Sequence, residues 1–251
     1  MCSSDLFPSH DTGGHQARHT VVLPDGKYHS FSQFGSGTFQ NIRTYLGPRM
    51  VVDFAGIHHE AYALSKFIGL VDKPFEKLYV HPDCLLTTPL HIIADKMWKL
   101  TKHGDSPSTC GLGIGEARRY WLKYGNDSLT AGDCKDRRTM MNKVELLKQR
   151  LWNEFADAGK VPNLEGYWFH KLSTRAIVDQ IMEYSGPIQL LDHMPHHESV
   201  VFEGSQGVLL DEHVGIHPFT TWGTVTADHA FDFDFNGYDR VVRLGITMAI
   251  D

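Results

Sequence analysis

No stretch of this 251-residue chain reaches 18 consecutive apolar residues, and the opening MCSSDLFPSH has neither a basic n-region nor an apolar core. Neither a membrane-spanning helix nor a secretory leader is signalled. Cysteine is sparse: Cys2, Cys84, Cys110 and Cys134 stand far apart and form no CxxC pair. That excludes the usual zinc ribbon and a disulfide framework, and it suits a reducing cytoplasm. Positive charge is short as well, with 24 Lys+Arg against 30 Asp+Glu, a formal net charge of -6 and no basic stripe. A duplex nucleic-acid surface needs clustered cations opposite phosphates, so that class is disfavoured. Internal repeats, charge runs and linker-like tracts are also missing. What is present, 41% hydrophobic and 22% charged residues, is enough to bury a core, so disorder is excluded and one domain is expected.

Strand and helix signals alternate along the chain. Residues 19–23, a Pro-Asp-Gly-Lys turn at Pro24 to Lys27 and a second strand after it read as a hairpin. Residues 41–45 could start a short helix, 49–54 form a buried strand, 55–70 have helical spacing at Tyr62, Phe67 and Leu70, and 78–80 are strand-like. Residues 90–100 place Ile93, Met97 and Leu100 on one helical face after a Thr-Thr-Pro start. Helices follow at 117–124, at 138–158 with Gly159 as terminator, and at 174–184. Residues 199–202 then make an apolar strand that runs into Glu203-Gly204-Ser205-Gln206-Gly207. Phe231, Phe233 and Phe235 alternate with Asp232 and Asp234 in the manner of a half-buried strand. The order β, α, β predicts an α/β architecture with a mainly parallel central sheet flanked by helices. Residues 1–10 receive no assignment, and 11–251 form the domain.

Three glycine loops could approach a polyanion closely, because glycine removes the Cβ that keeps a backbone at a distance. Residues 13–20, GGHQARHT, put two imidazoles, an amide and a guanidinium together; the local pattern fits either an anion-binding turn or a polar surface loop. Residues 108–116, STCGLGIGE, lead into a helix whose first amides could face an anion, but the spacing is neither the Rossmann fingerprint nor Walker A, and a plain tight turn explains it too. The stretch from Phe202 to Asp211, followed by His217 to Trp222, offers Gln206 and Thr221 as neutral hydrogen-bonding groups suited to a phosphate or ribose. Glu203 fits an amide-ordering carboxylate better than a base. Sixteen histidines, with groupings at His58-His59-Glu60, Asp192 to Glu198 and Asp228-His229, also raise a metal-dependent hydrolase as a distant alternative. No HExxH occurs, and adjacent side chains point apart.

Taken together and in order, these loops resemble the adenylosuccinate synthetase family, which carries a GGHNAGHT-like loop, a TTGxGIG-like loop and an EGAQGTLLD…GTYPYVT-like block. The resemblance implies a P-loop NTPase-like adenylosuccinate synthetase fold, incomplete here. It implies a cytoplasmic, homodimeric, GTP- and Mg2+-dependent ligase of purine biosynthesis. In that family the γ-phosphate activates the 6-oxygen of IMP and the amine of L-aspartate displaces phosphate. By the same likeness His19 matches the catalytic histidine, and Gln16, Ala17 and Arg18 match the nucleotide loop, with the Arg18 backbone carbonyl assigned to the metal. Thr109 and Cys110 match a threonine pair on the IMP phosphate, while Gln206 and Thr221 match a glutamine and a threonine that hold the nucleotide. Leu112, Trp121 and Tyr124 fall where the family has cationic residues, which leaves Arg118 or Arg119 as replacements. A GDEGKGK-type phosphate loop does not precede Asp11, and the arginine-rich and KxD segments do not follow Thr247. The chain therefore reads as a fragment that exposes sheet edges and lacks turnover. The alternatives within nucleotide chemistry are a phage-type enzyme joining aspartate to dGMP and a non-catalytic purine-nucleotide-binding module.

Overall fold

The computed structural model describes residues 6–10, 14–69, 71–101, 110–159, 163–195, 197–204, 206–221, 223–226, 238 and 240–245. Five strands form one parallel sheet: β1 (Leu6–His10), β4 (Thr44–Leu46), β6 (Leu78–Val80), β8 (Gln189–Leu190) and β9 (Ser199–Phe202). Their spatial order is β8-β6-β4-β1-β9. An antiparallel hairpin, β2 (His19–Val22) with β3 (Tyr28–Phe31), and a short parallel pair, β5 (Val51–Val52) with β7 (Leu85–Leu86), complete the strands. The helices are α1 (Phe54–Tyr62), continued by a π-helical turn over Ala63–Ile68, then α2 (Pro89–Thr101), α3 (Ile114–Tyr124), α4 (Arg137–Asp157), α5 (Asn163–Lys171) and α6 (Thr174–Ser185). The expected α/β architecture is therefore present. Among the described residues no helix is long and apolar enough to cross a membrane.

The sequence explains most elements locally. In α4, Met140, Val144, Leu147, Leu151 and Phe155 recur every three or four residues and are all buried, so one stripe faces the core while the rest meets water. Asp136 starts this helix by accepting from the amides of Arg138 (3.0 Å) and Thr139 (3.1 Å), a cap worth about 1 kcal/mol. Asp53 caps α1 in the same way through Ala55 (3.0 Å). The main core joins the sheet to α1, α2, α4 and α6 through Leu46, Val52, Leu78, Val80, Met97 and Val178, each almost fully buried. At about 2 kcal/mol per large aliphatic side chain, such burial dominates the stability. Trp98 and Trp152 pack against this core, whereas Trp168 is 56% exposed.

Four expectations need correction. Residues 41–45 do not start a helix: Asn41 takes a left-handed conformation (φ 63) that closes the turn before it, and Thr44–Leu46 is a fully buried strand. The buried strand at 49–54 shrinks to Val51–Val52, because Asp53 turns its carboxylate to cap α1. Leu6–His10, left unassigned, is an inner strand, paired with β4 on one side and β9 on the other. Helix α5, absent from the sequence reading, packs on α2. The strand expected around Phe231, Phe233 and Phe235 lies outside the described residues.

Candidate functional site

The topology gathers the glycine loops. β1 and β9 are parallel neighbours in the register Leu6 with Ser199 through Ser9 with Phe202. The loops that follow them, carrying Gln16 and Gln206, therefore leave the same edge of the sheet. Carboxyl ends of parallel strands are where open α/β sheets receive ligands. Helix α3 joins these loops. A small second core of Val51, Leu85, Ile114 and Ala117 seats it on β5 and β7. Gly14 forms an isolated parallel bridge with Val51, and a Cβ placed on Gly14 would stand 2.7 Å from Ile114 Cγ2, so the first loop rests directly on the helix start. One turn along, Arg118 Nη2 is 3.6 Å from where a Gly223 Cβ would be, which brings in the third loop.

Within the first loop the Ala17 amide donates to the Gly14 carbonyl (2.9 Å) and Ala17 is buried, so this residue closes the turn. Gln16 keeps its Oε1 buried without a hydrogen-bond partner among the described residues. Such an atom costs stability unless a ligand supplies a donor. Arg18 is exposed, and His19 opens β2, half-buried. The buried His15, one of the loop's two imidazoles and given no role by the family likeness, ties the loop down. Its carbonyl accepts from the Ser32 hydroxyl, and its Nε2 lies 3.1 Å from Thr87 Oγ1. Because that hydroxyl donates to the Val52 carbonyl (3.2 Å), its lone pair faces His15 and the network assigns the Nε2–H tautomer. Burial pulls His15 below the ordinary imidazole pKa, partly offset by the Asp53 carboxylate.

Glu60, 8% exposed, holds the segment after the hairpin by accepting from the amides of Ser32 (2.7 Å), Gln33 (2.8 Å) and Phe34 (3.4 Å). Glu203 at the end of β9 accepts from the Ser36 amide (3.2 Å) and the Ser36 hydroxyl. That is the amide-ordering role expected for it, and it ties the hairpin side to the third loop.

Of the middle loop, Thr109 lies outside the described residues and Cys110 is exposed. Gly113 (φ 76) is packed against the first turn of α2, where its Cβ would meet Ile92 N at 2.8 Å. In that turn His91 Nδ1 accepts from the Thr88 amide (3.2 Å) and lies 3.0 Å from Thr88 Oγ1. Complete burial, helped by the charge of Arg119, brings its pKa down to about 3. The two arginines proposed from sequence separate cleanly. Arg119 is committed to Glu116 (2.6 Å) and Glu154 (2.7 Å). Arg118 faces the third loop, lies 5.4 Å from the Trp121 ring centre and donates to the Arg49 carbonyl (3.3 Å).

In the third loop Gln206 is half-buried, and Thr221 spends its amide on the Leu210 carbonyl (2.7 Å). Asp211, 1% exposed, sets this geometry by accepting from the amides of His213 (2.8 Å), Val214 (3.1 Å) and Val225 (2.7 Å). These amides hold its carboxyl at a pKa of about 2. The metal groupings fare differently. His58 Nε2 bonds to the Tyr184 carbonyl (2.8 Å), and among the described residues no three His, Cys, Asp or Glu side chains gather into a metal-binding group. His196, Asp228 and His229 lie outside the described residues.

The family profile of adenylosuccinate synthetase matches residues 10–246. The chain belongs to the adenylosuccinate synthetase family. Among its relatives, the adenylosuccinate synthetase of Mycolicibacterium smegmatis is 28% identical over 94% of this chain and 54% of its own length. That of Mycobacterium tuberculosis is 28% identical over 87% of this chain and 50% of its own length. The chain thus spans about half the length of the curated relatives it matches. Two solved structures share the fold. The fully ligated adenylosuccinate synthetase of Plasmodium falciparum superposes with a TM-score of 0.72 and 20% identity, covering 92% of this chain and 52% of that one. The succinoaminodeoxyadenylate synthetase of cyanophage S-2L, bound to dGMP and dATP as an energy donor, superposes with a TM-score of 0.54 and 20% identity, covering 90% of this chain and 51% of that one.

Proposed function

We propose that this chain carries the mononucleotide-gripping part of an adenylosuccinate synthetase-type ligase, which joins L-aspartate to the 6-oxopurine of IMP with GTP as the phosphoryl donor in purine biosynthesis. The observation that supports it most is the double contact of α3, with Gly14 of the first loop at Ile114 and with the Gly223 segment of the third loop at Arg118. In this reading the Gln16 and Gln206 carboxamides and the Thr109, Cys110 and Thr221 side chains hold the nucleotide. His19 donates a proton or hydrogen bond to the transferring phosphoryl group or the purine oxygen. Ala17 shapes the turn. The amine of aspartate then attacks the activated C6, forming the C–N bond as the C6–O bond breaks, phosphate leaves with the 6-oxygen and the amine gives up a proton, so positioning supplies most of the acceleration.

Magnesium belongs to the same reading as the counter-ion of the triphosphate, with the Arg18 backbone carbonyl as its assigned protein oxygen. Its neighbours in the chain, Gln16, Ala17 and His19, carry no carboxylate, and among the described residues no three His, Cys, Asp or Glu side chains gather into the kind of cage a protein-held hard cation takes. The described residues therefore do not fit a resident ion, and no step runs through one. The reading also includes a cytoplasmic homodimer.

The likeness to the cyanophage enzyme bound to dGMP supports a second acceptor, dGMP in place of IMP. Calorimetry with IMP, GMP and dGMP, beside a turnover assay with GTP and L-aspartate, tests both. Saturable binding of one purine mononucleotide, lost in His19→Ala or Gln206→Ala, is expected, and the better ligand names the acceptor. Absence of binding to all three sinks the reading. Binding without turnover fits both the nucleotide-gripping part proposed here and the non-catalytic module, whereas turnover excludes the module.

A further inference from the structure

The residues of the first loop divide their work unevenly. Gly14 bridges Val51 through its backbone, Ala17 closes the turn on the Gly14 carbonyl, and His15 is held from two sides. Its ring reaches the Thr87 hydroxyl at the junction of β7 and α2 (3.1 Å), while its carbonyl accepts from the Ser32 hydroxyl. Ser32 is itself fixed, because its amide donates to the buried Glu60 carboxylate (2.7 Å). The ring contact sets the Cα–Cβ direction of His15, and the carbonyl contact sets the plane of the peptide that joins it to Gln16. Together they settle where the Gln16 side chain leaves the backbone. That side chain folds back over Gly14: its Oε1 stands 2.7 Å from where a Gly14 Cβ would be, and it is buried with no hydrogen-bond partner among the described residues. A glutamine that keeps a polar atom buried and unsatisfied is held there by its surroundings, since free rotation would take it to water.

We propose that His15 is a positioning residue for nucleotide binding: through Thr87 and Ser32 it aims the Gln16 carboxamide before any ligand arrives, its own ring being buried and spent on Thr87. That the ligand is a purine mononucleotide rests on the preceding reading; the aiming of Gln16 does not. Thr87 gives its proton to the Val52 carbonyl (3.2 Å), so His15 must offer an N–H at the Nε2 position. Glutamine carries an N–H at a similar reach from the backbone, whereas asparagine ends near Nδ1 and falls short. Of the two, only glutamine can keep the anchor.

The test is a double-mutant cycle on the full chain, read by calorimetry with IMP, GMP and dGMP below the melting transition of every variant. A side chain that the ligand itself must order binds more weakly, so His15→Asn is expected to weaken the mononucleotide by about tenfold. His15→Gln should recover most of that loss. In a Gln16→Ala background the same His15→Asn change should cost less than about twofold, because the group it acts through has gone. A merely structural role would lower the melting temperature and cost binding equally in both backgrounds. Thr87→Val removes the hydroxyl from the other side and keeps its shape; it should match His15→Asn, add nothing to it, and serve in its place if His15→Asn does not fold. Equal losses in both backgrounds, no loss with His15→Asn, or no recovery with His15→Gln each overturns the proposal and leaves the ligase reading intact. Where nothing binds, NMR relaxation of the Gln16 carboxamide decides alone, whether the unaltered chain fails, which sinks the ligase reading, or only the Gln16→Ala background does. The carboxamide should be rigid in the unaltered chain and in His15→Gln and mobile in His15→Asn; equal mobility in all three overturns the proposal.

Discussion

Replacing Gly113 with alanine should damage this protein far more than the same change two residues earlier. Both glycines are left-handed, with φ 71 at Gly111 and 76 at Gly113, so each alanine carries about 1–2 kcal/mol of backbone strain. Their surroundings differ. A Cβ on Gly111 meets nothing within 4 Å, while one on Gly113 stands 2.8 Å from Ile92 N and 2.9 Å from the His91 carbonyl carbon. Those are backbone atoms of the first turn of α2, so no side-chain rotation relieves the contact and α3 must move away from α2. Overpacking of this kind adds about 1–3 kcal/mol. Gly113→Ala is therefore expected to lose roughly 2–5 kcal/mol and Gly111→Ala roughly 1–2 kcal/mol, with melting temperatures falling about 2–4 °C for each kcal/mol. Urea unfolding of the two variants side by side measures the difference. Equal losses would refute the packing of the middle loop on α2, and with it the way α3 is held against the first loop.

Other outcomes follow from single groups. His91 is neutral when folded, with a pKa near 3 against 6.5 when free, so between those values the unfolded chain binds the extra proton. Stability from this group is complete above pH 6.5 and falls with decreasing pH by up to about 1.4 kcal/mol per unit; His91→Gln should flatten that slope in urea titrations at pH 5 and 7. Glu60→Ala strands the amides of Ser32, Gln33 and Phe34, and about 3 kcal/mol should be lost on unfolding by denaturant. Glu203→Ala should speed hydrogen exchange at Ser36 while leaving α4 protected, since it accepts from the Ser36 amide.

The helices could be read because their cause is local. Thr174–Ser185 and Arg137–Asp157 match their apolar spacing within a residue at either end, and the Asp136 cap is visible as a residue type. Strands of two to five residues give less signal. Leu6–His10 contains Pro8, which has no amide to donate and argues against an inner strand; only pairing with both β4 and β9 makes it one. Thr44–Leu46 is buried on both faces, so alternation, the usual strand signature, is missing. In Asn163–Lys171 a glycine and three consecutive aromatics hide the helical period, although Phe169 is buried. For the site, the loop residues emerged through their ordered likeness to a family. The choice of Arg118 over Arg119 did not, because it depends on Glu116 and Glu154 capturing one guanidinium while Gly223 approaches the other.

The pairing of Leu6 with Ser199 also sets a timetable. At about 5–20 residues per second, the ribosome needs roughly 10–40 s to deliver the second partner after the first. Closing so long a loop from an unstructured chain is slow, and the intervening helices shorten the search by packing beforehand. This side of the sheet thus takes shape only after the helices between the two strands have been made. Until it does, the nascent β1 waits with one flank bare.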